Sequence, residues 1–444
     1  VTGVAFLDQP VDRARFRRML EERLLTLDRF TMKVVEGRLP VGTPHWETDP
    51  HFDLDAHIHY IALPDPGDEA ALRMLLGDLA STPIDFSKPP WQMHLVDNVM
   101  GGSAMILRFH HCVGDGAAMN YVMYRMMDAE RDPAPAPPAE ETPSARPSQG
   151  LLGTMFSPVR GAFNLSRKTA GFLLHEGLDF ILHPSHFLER AETATDSAGV
   201  VTHMLAMPPD PQTPFKGPLG VQKHVAWSAP LALEDVKFVA QTYDAKINDV
   251  LIGTMSGALR AYLLERGAEA DLEIHAVVPV DLRPPEKAHE LGNRFGLVFL
   301  ALPLEIDDPI ARLFEVHGRM NELKQSPEAV VFLSMLSIFG HTPQTVEDQV
   351  VNLFASRATA VLTNVAGPRE TLYVAGSRIK HMIFWVPQSG RMGMGISILS
   401  YDGEVLLGVI TDAGLVPDPE RITTHFNAQF AALLALAQAE VGAD

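Results

Sequence analysis

Phe109-His110-His111-Cys112-Val113-Gly114-Asp115-Gly116 is the stretch on which the reading of this chain turns. It follows an apolar run from Ala104 and precedes a Met-rich apolar segment, Ala117 to Met127, so it reads as strand, loop, helix. Side chains alternate faces along a strand, which groups His111 with Met105, Leu107 and Phe109, and His110 with Ile106 and Arg108. Adjacent strand histidines do not easily share one metal ion, and no acidic or Cys residue stands at a familiar zinc spacing, so no metal is expected. Gly114 and Gly116 permit a tight turn that lets Asp115 reach back toward the strand end. Two readings of Asp115 stand together: it caps the helix that starts near Ala117, or it orders the loop and pairs with an Arg. A four-residue His-to-Asp spacing is common by accident. Paired histidines, three residues and Asp-Gly between an apolar strand and a helix are less common, and they favour function.

No protein nucleophile accompanies the histidines. There is no Gly-x-Ser-x-Gly elbow, no P-loop and no Gly-x-Gly-x-x-Gly fingerprint. Cys112 neighbours His111 on a strand, so their side chains point apart and a small buried residue is expected. A histidine in this position suits general-base catalysis on a substrate's own hydroxyl or thiol.

Working outward, Trp91 to Val96 and Ala104 to His111 flank Gly101-Gly102 and predict a hairpin. Residues 11 to 36 carry apolar residues at helical spacing and predict an amphipathic helix. Asp128 to Gly150 is rich in Pro and Ala with no large aliphatic side chain, the composition of a solvated linker. Leu151 to Arg190 and the run Val330 to Phe339 combine bulk with helical potential and suit either a lipid surface or domain packing. Beyond Val201 the chain predicts a helix over Ile247 to Leu264 and strands over Ile274 to Val280, Leu297 to Leu302, Ala360 to Thr363, Ile379 to Trp385, Met392 to Ser400 and Glu404 to Thr411. Asp402-Gly403 marks a hairpin turn between the last two. The expected division is 1–127 for an N-terminal domain with the histidine motif, 128–200 for linker and amphipathic crossover, and 201–444 for a C-terminal domain.

Size and composition agree with that division. At 444 residues the chain is longer than one core usually grows. Its 36 Lys and Arg against 55 Asp and Glu leave a net charge of −19, which excludes a generic nucleic-acid binder. The single cysteine excludes an intrachain disulfide and points to a reducing, cytoplasmic setting. No run of about 18 apolar residues predicts a membrane span. The chain opens on the strand-like Val1 to Leu7 without an initiator Met, and further residues upstream are expected.

The His110-His111-x-x-x-Asp115-Gly116 motif resembles the signature of the bacterial wax ester synthase/diacylglycerol acyltransferase family, a branch of the CoA-dependent acyltransferases. Pro89-Pro90-Trp91, Ile247-Asn248-Asp249-Val250, Val280-Asp281-Leu282-Arg283-Pro284, Gly292-Asn293-Arg294-Phe295-Gly296 and Thr363-Asn364-Val365-Ala366-Gly367-Pro368 look like that branch and follow its order. The resemblance implies an α/β fold of two chloramphenicol-acetyltransferase-like domains with mixed sheets and a tunnel at their interface. It implies acyl-CoA as co-substrate, no cofactor, and diacylglycerol or a long-chain alcohol as acceptor, at the inner membrane or on lipid inclusions. By carry-over His111 is the general base, Asp115 its loop-ordering partner and Gly116 part of the motif; His110 is either a support or a direct participant. Asn248 either caps its helix or donates to the thioester oxygen. Asp281 and Arg283 are expected to form an ion pair, Asn293 and Arg294 have either role, and Lys216, Lys223, Arg378 and Lys380 are candidates for the CoA phosphates. Gln92 stands where the family usually has Glu, and the family usually has some thirty residues before the position of Val1. The same motif also serves superfamily members with other acceptors or carrier-bound donors, and a noncatalytic lipid-binding relative is the remaining alternative.

Overall fold

The computed structural model describes residues 1–36, 44–133, 207–284, 287, 290–326, 328–329, 331–333, 351–388 and 390–442. Two mixed sheets carry the fold. The first runs Tyr373–Val374, Ser377–Trp385, Thr2–Leu7, Gly102–Phe109, Trp91–Val99, Ile58–Ala62, antiparallel throughout except for its last pair. The second runs Phe295–Pro303, Glu273–Asp281, Ala360–Ala366, Met394–Tyr401, Glu404–Asp412, Lys223–Trp227, parallel only at Ala360–Ala366, with the short Leu231–Ala232 beside Glu404–Asp412.

Both faces of the first sheet are buried, which explains its near-continuous apolar runs. Ala5, Leu7, Met105 and Phe109 enter one core, under the helix Gly116–Met126. Val4, Phe6, Ala104 and Ile106 enter another, which they share with Val225, Leu406 and Ile410 of the second sheet. A third core surrounds the helix Ile247–Glu265, packed between the helices Pro309–Gln325 and Pro419–Val441. The predicted hairpins are present: Met100 and Gly101 turn the first with φ of 46° and 77°, and Asp402 and Gly403 turn the second with 47° and 80°.

One expectation changes. The predicted helix over residues 11–36 is helical only at Arg13–Met19, continues as a π turn at Leu20–Leu24 and a 3-10 turn at Asp28–Phe30, and ends as the strand Met32–Val35. Tertiary packing overrides the helical period there: Phe30 is buried edge-on against Trp91, and its carbonyl accepts the Trp91 Nε1–H at 2.9 Å. The expected C-terminal unit 201–444 contributes strands to both sheets. Its residues Ser377–Trp385 leave to pair with Thr2–Leu7, so the later part of the chain completes the first sheet. Leu151 to Arg190 lies outside the described residues. Of Val330 to Phe339 only Val331, Phe332 and Leu333 are described, and Val331 and Phe332 are buried, with the Phe332 ring edge-on to Phe354.

One strand residue makes the first sheet acid-sensitive. His94 is 7% exposed and stacked on His59 at 4.7 Å. Burial, reinforced by His59 and Arg108, pulls its pKa from 6.5 to about 4. The unfolded chain therefore takes up the proton first, and stability falls as pH drops from 6.5 toward 4, by roughly 2–3 kcal/mol at pH 4.5. Urea unfolding at pH 7 and 4.5 is expected to show this loss, and His94→Gln to reduce it. Identical pH dependence in the two proteins would contradict the assignment.

Candidate active site

The motif loop is held from both ends. Pro90 O accepts the His110 N–H at 2.9 Å, and Val113, fully buried, donates its N–H to His110 O at 3.0 Å. The helix Gly116–Met126 then starts with Asp115 as its cap, Oδ1 accepting from the Ala118 N–H at 3.0 Å. Gly114 is required by space: a Cβ there would lie 2.8 Å from Ala118 Cβ.

Asp115 does more than cap. Its Oδ1 and Oδ2 accept from Arg283 Nη1 and Nη2 at 2.9 and 2.8 Å, and Oδ2 also accepts the Arg294 N–H at 2.8 Å. Arg283 donates further to Gly292 O at 2.8 Å, a carbonyl that the Asp115 N–H reaches at 3.3 Å. Both expected roles of Asp115 are thus filled at once, and the forked guanidinium stitches the motif loop to the second sheet. The expected Asp281–Arg283 ion pair is not formed. Among the described residues Asp281 Oδ1 accepts only the Arg283 backbone N–H, at 3.0 Å, because the fork is committed to Asp115.

His111 is half-buried, with its ring 5.6 Å from that of Phe295. Asn293 brackets it. The Asn293 Nδ2 donates to His111 O at 3.0 Å, and a carbonyl can only accept, so the amide orientation is set. Asn293 Oδ1 then faces His111 Nδ1 at 3.2 Å, which places the proton on Nδ1 and leaves Nε2 as the basic nitrogen. Burial, partly offset by Asn293 and Asp115, holds the imidazole below its ordinary 6.5. Asn293→Asp puts a carboxylate against Nδ1 and is expected to move the acidic limb of kcat/KM upward by about one pH unit. A pH–rate profile with an unmoved limb would contradict this bracket.

Around His111 lies a cavity of about 240 Å³. Its walls are Met105, Leu107 and Phe109 from the motif strand, Met119 and Met123 from the motif helix and Met127 just after it, Phe384 and Met382 from the crossing strand, and Phe295 and Pro279 from the second sheet. The Met-rich stripe therefore lines the cavity as well as filling core. Among the described residues the lining contains no Ser, Cys or Lys, and its polar members include His111, Asp115, Asn120, Asp281, Thr363 and Asn364. Gly116 also lines it, with nothing within 4 Å of a hypothetical Cβ.

The sequence profile of the wax ester synthase/diacylglycerol acyltransferase catalytic domain matches residues 4–251, and that of the family's C-terminal domain matches residues 291–434. The chain belongs to this family. It is 29% identical over 430 residues to a putative diacylglycerol O-acyltransferase of Mycobacterium tuberculosis, covering 91% of this chain and 79% of that one. A probable diacylglycerol O-acyltransferase, tgs1, of the same species is 25% identical over 449 residues, covering 99% and 92%. The wax ester synthase/diacylglycerol acyltransferase of Marinobacter aquaeolei shares the fold at a TM-score of 0.68 and 22% identity, covering 98% of this chain and 94% of that one. The first condensation domain of the calcium-dependent antibiotic synthetase does so at 0.57 and 15%, covering 98% and 90%. The protein is an O-acyltransferase of the α/β two-sheet kind.

The remaining motif residues of this acyltransferase separate into those that reach the cavity and those that do not. Asn248 is fully buried at the start of its helix and does not line the cavity. Its Oδ1 accepts from Asn364 Nδ2 at 2.7 Å, and Asn364 is the amide that lines it. His110 is exposed, edge-on to Phe86 at 4.8 Å, its Nδ1 accepting the Cys112 N–H at 3.3 Å. Burial pushes the Cys112 thiol up, away from reactivity. Gln92, at the position of the family's Glu, accepts from Arg108 Nη1 at 2.9 Å and does not line the cavity. Of the candidate cations, Lys216 is buried and donates to Ser356 O, while Lys223 is paired with buried Asp412 at 2.8 Å. Lys380 borders a second cavity and Arg378 is half exposed near Asp402, so none of the four lines the cavity of His111.

Proposed function

We propose that this acyltransferase moves a long-chain fatty acyl group from acyl-CoA to diacylglycerol or a long-chain alcohol, giving triacylglycerol or wax ester, with His111 as general base. The observation that carries the reading is the bracketing of His111 by Asn293, which leaves Nε2 as the basic nitrogen of a residue lining an apolar cavity whose lining, among the described residues, offers no Ser, Cys or Lys. Nε2 removes the hydroxyl proton as the acceptor oxygen attacks the thioester carbonyl. The carbonyl oxygen gains negative charge, and Asn364, a side-chain amide on the cavity wall that keeps a second Nδ2–H after donating to Asn248, is suited to meet it. Collapse breaks the C–S bond, and the imidazolium returns the proton to the departing thiolate. Asn248 positions Asn364, Asp115 and Arg283 hold the loop, and no metal or prosthetic group enters a step.

Purified protein, labelled palmitoyl-CoA and either dioleoylglycerol or hexadecanol are expected to give labelled ester with at least one acceptor. No ester with either acceptor would overturn the reading. Both acceptors partition into lipid, so the reading includes cytoplasmic action at a membrane or lipid-inclusion surface. Among the described residues no helix is long and apolar enough to cross a membrane.

A further inference from the structure

Asp281 is a carboxylate that the chemistry of the motif leaves unused. It ends the strand Glu273–Asp281, lies opposite Phe295 across the ladder, and lines the cavity with Pro279 two residues before it. Phe295 in turn stands against the His111 ring, so Asp281 belongs to the second-sheet wall of the reaction chamber. The cation two residues on, Arg283, is turned away onto Asp115. Among the described residues Asp281 has no ion pair, and its one hydrogen bond is the Arg283 N–H on Oδ1. The side chain is exposed at the strand end as well as lining the cavity, and the partial desolvation of its carboxyl raises it above the usual carboxylate range.

We infer that Asp281 recognises the pantetheine arm of the acyl thioester, accepting a hydrogen bond from an amide N–H or the hydroxyl of that arm. The inference rests on the thioester-donor reading above. An ionised carboxylate can only accept, so on the chamber wall it suits a reactant that brings N–H or O–H donors in place of water. Diacylglycerol and a long-chain alcohol each carry one O–H, which His111 claims, and the fatty chain carries none. The arm on the thioester sulfur is what remains: it holds two amide N–H groups and a hydroxyl, and the sulfur must sit beside His111 when transfer occurs. A carboxylate here also disfavours entry of the CoA phosphates, which keeps them outside the chamber and the arm threaded through it.

The test compares S-palmitoyl-N-acetylcysteamine with its oxygen isostere, S-palmitoyl-O-acetylmercaptoethanol, in which the amide N–H is replaced by an ester oxygen. The native enzyme is expected to favour the amide thioester by about tenfold in kcat/KM, the scale of a hydrogen bond to a charged group. In Asp281→Leu that preference is expected to fall to within about twofold, and in Asp281→Asn, which keeps an oxygen for the Arg283 N–H, to an intermediate value, with KM for the alcohol unchanged in both. A tenfold preference that survives in both variants, or a rise in acceptor KM in place of its loss, would overturn the inference alone. A native enzyme that accepts no thioester would overturn the donor reading and this inference with it.

Discussion

Replacing His111 by alanine is expected to lower kcat/KM for ester formation by about 10²–10⁴-fold, the usual contribution of a positioned general base. The fold is expected to survive. His111 is half-buried at a loop, and its side-chain bond is one neutral contact to Asn293, whose other bond is to the His111 carbonyl and remains in the variant. The readouts are the rate with labelled palmitoyl-CoA and the urea midpoint of the same preparation. An enzyme that keeps most of its rate would remove His111 from the chemistry, whereas a collapse of both rate and midpoint would make it a structural residue.

Breaking the Asp115–Arg283 pair is expected to have the largest effect on stability. Both side chains are nearly inaccessible, at 7% and 2%, and each oxygen of the carboxylate takes one arm of the guanidinium. Arg283→Ala strands a buried carboxylate with only the Ala118 and Arg294 N–H groups, a loss of about 3–5 kcal/mol. The same change unpins Gly292 O from the guanidinium next to Asn293, so the bracket on His111 loosens and kcat falls with stability. Asp115→Leu combined with Arg283→Met leaves neither charge stranded and is expected to recover part of the stability without recovering the rate. Strictly additive losses in the double variant would show that the two groups do not act as a pair.

How far these features could be read beforehand depended on whether they were local. The strand, loop and helix around His111 were legible because alternation, glycines and a capping Asp all act within a few residues. The two hairpin turns were legible for the same reason, at Gly101 and at Asp402-Gly403. The partner of Arg283 was not. Asp281 lies two residues away and Asp115 is 168 away, and only the packing of two sheets shows that the fork fits the distant carboxylate better. Asn293 and Asn364 were visible as members of segments resembling the family's, yet their contacts to His111 and Asn248 span more than a hundred residues, which spacing does not encode. The early helix over residues 11–36 was overread because its period was helical while Phe30 was needed under Trp91. The strand expected over Ile379 to Trp385 is present as Ser377–Trp385, but its partner in the other sheet was not legible, because register with Thr2–Leu7 is a property of the assembled fold.

Acyl transfer is expected to be direct, with His111 acting on the acceptor and no protein group taking the acyl chain. Rapid quench of enzyme mixed with labelled acyl-CoA, with and without alcohol or diacylglycerol, tests it directly. Without acceptor, no burst of free CoA and no label on the protein are expected; with acceptor, CoA and ester appear together in the first turnover. A stoichiometric burst of CoA without acceptor, with the label covalently on the chain, would contradict the account.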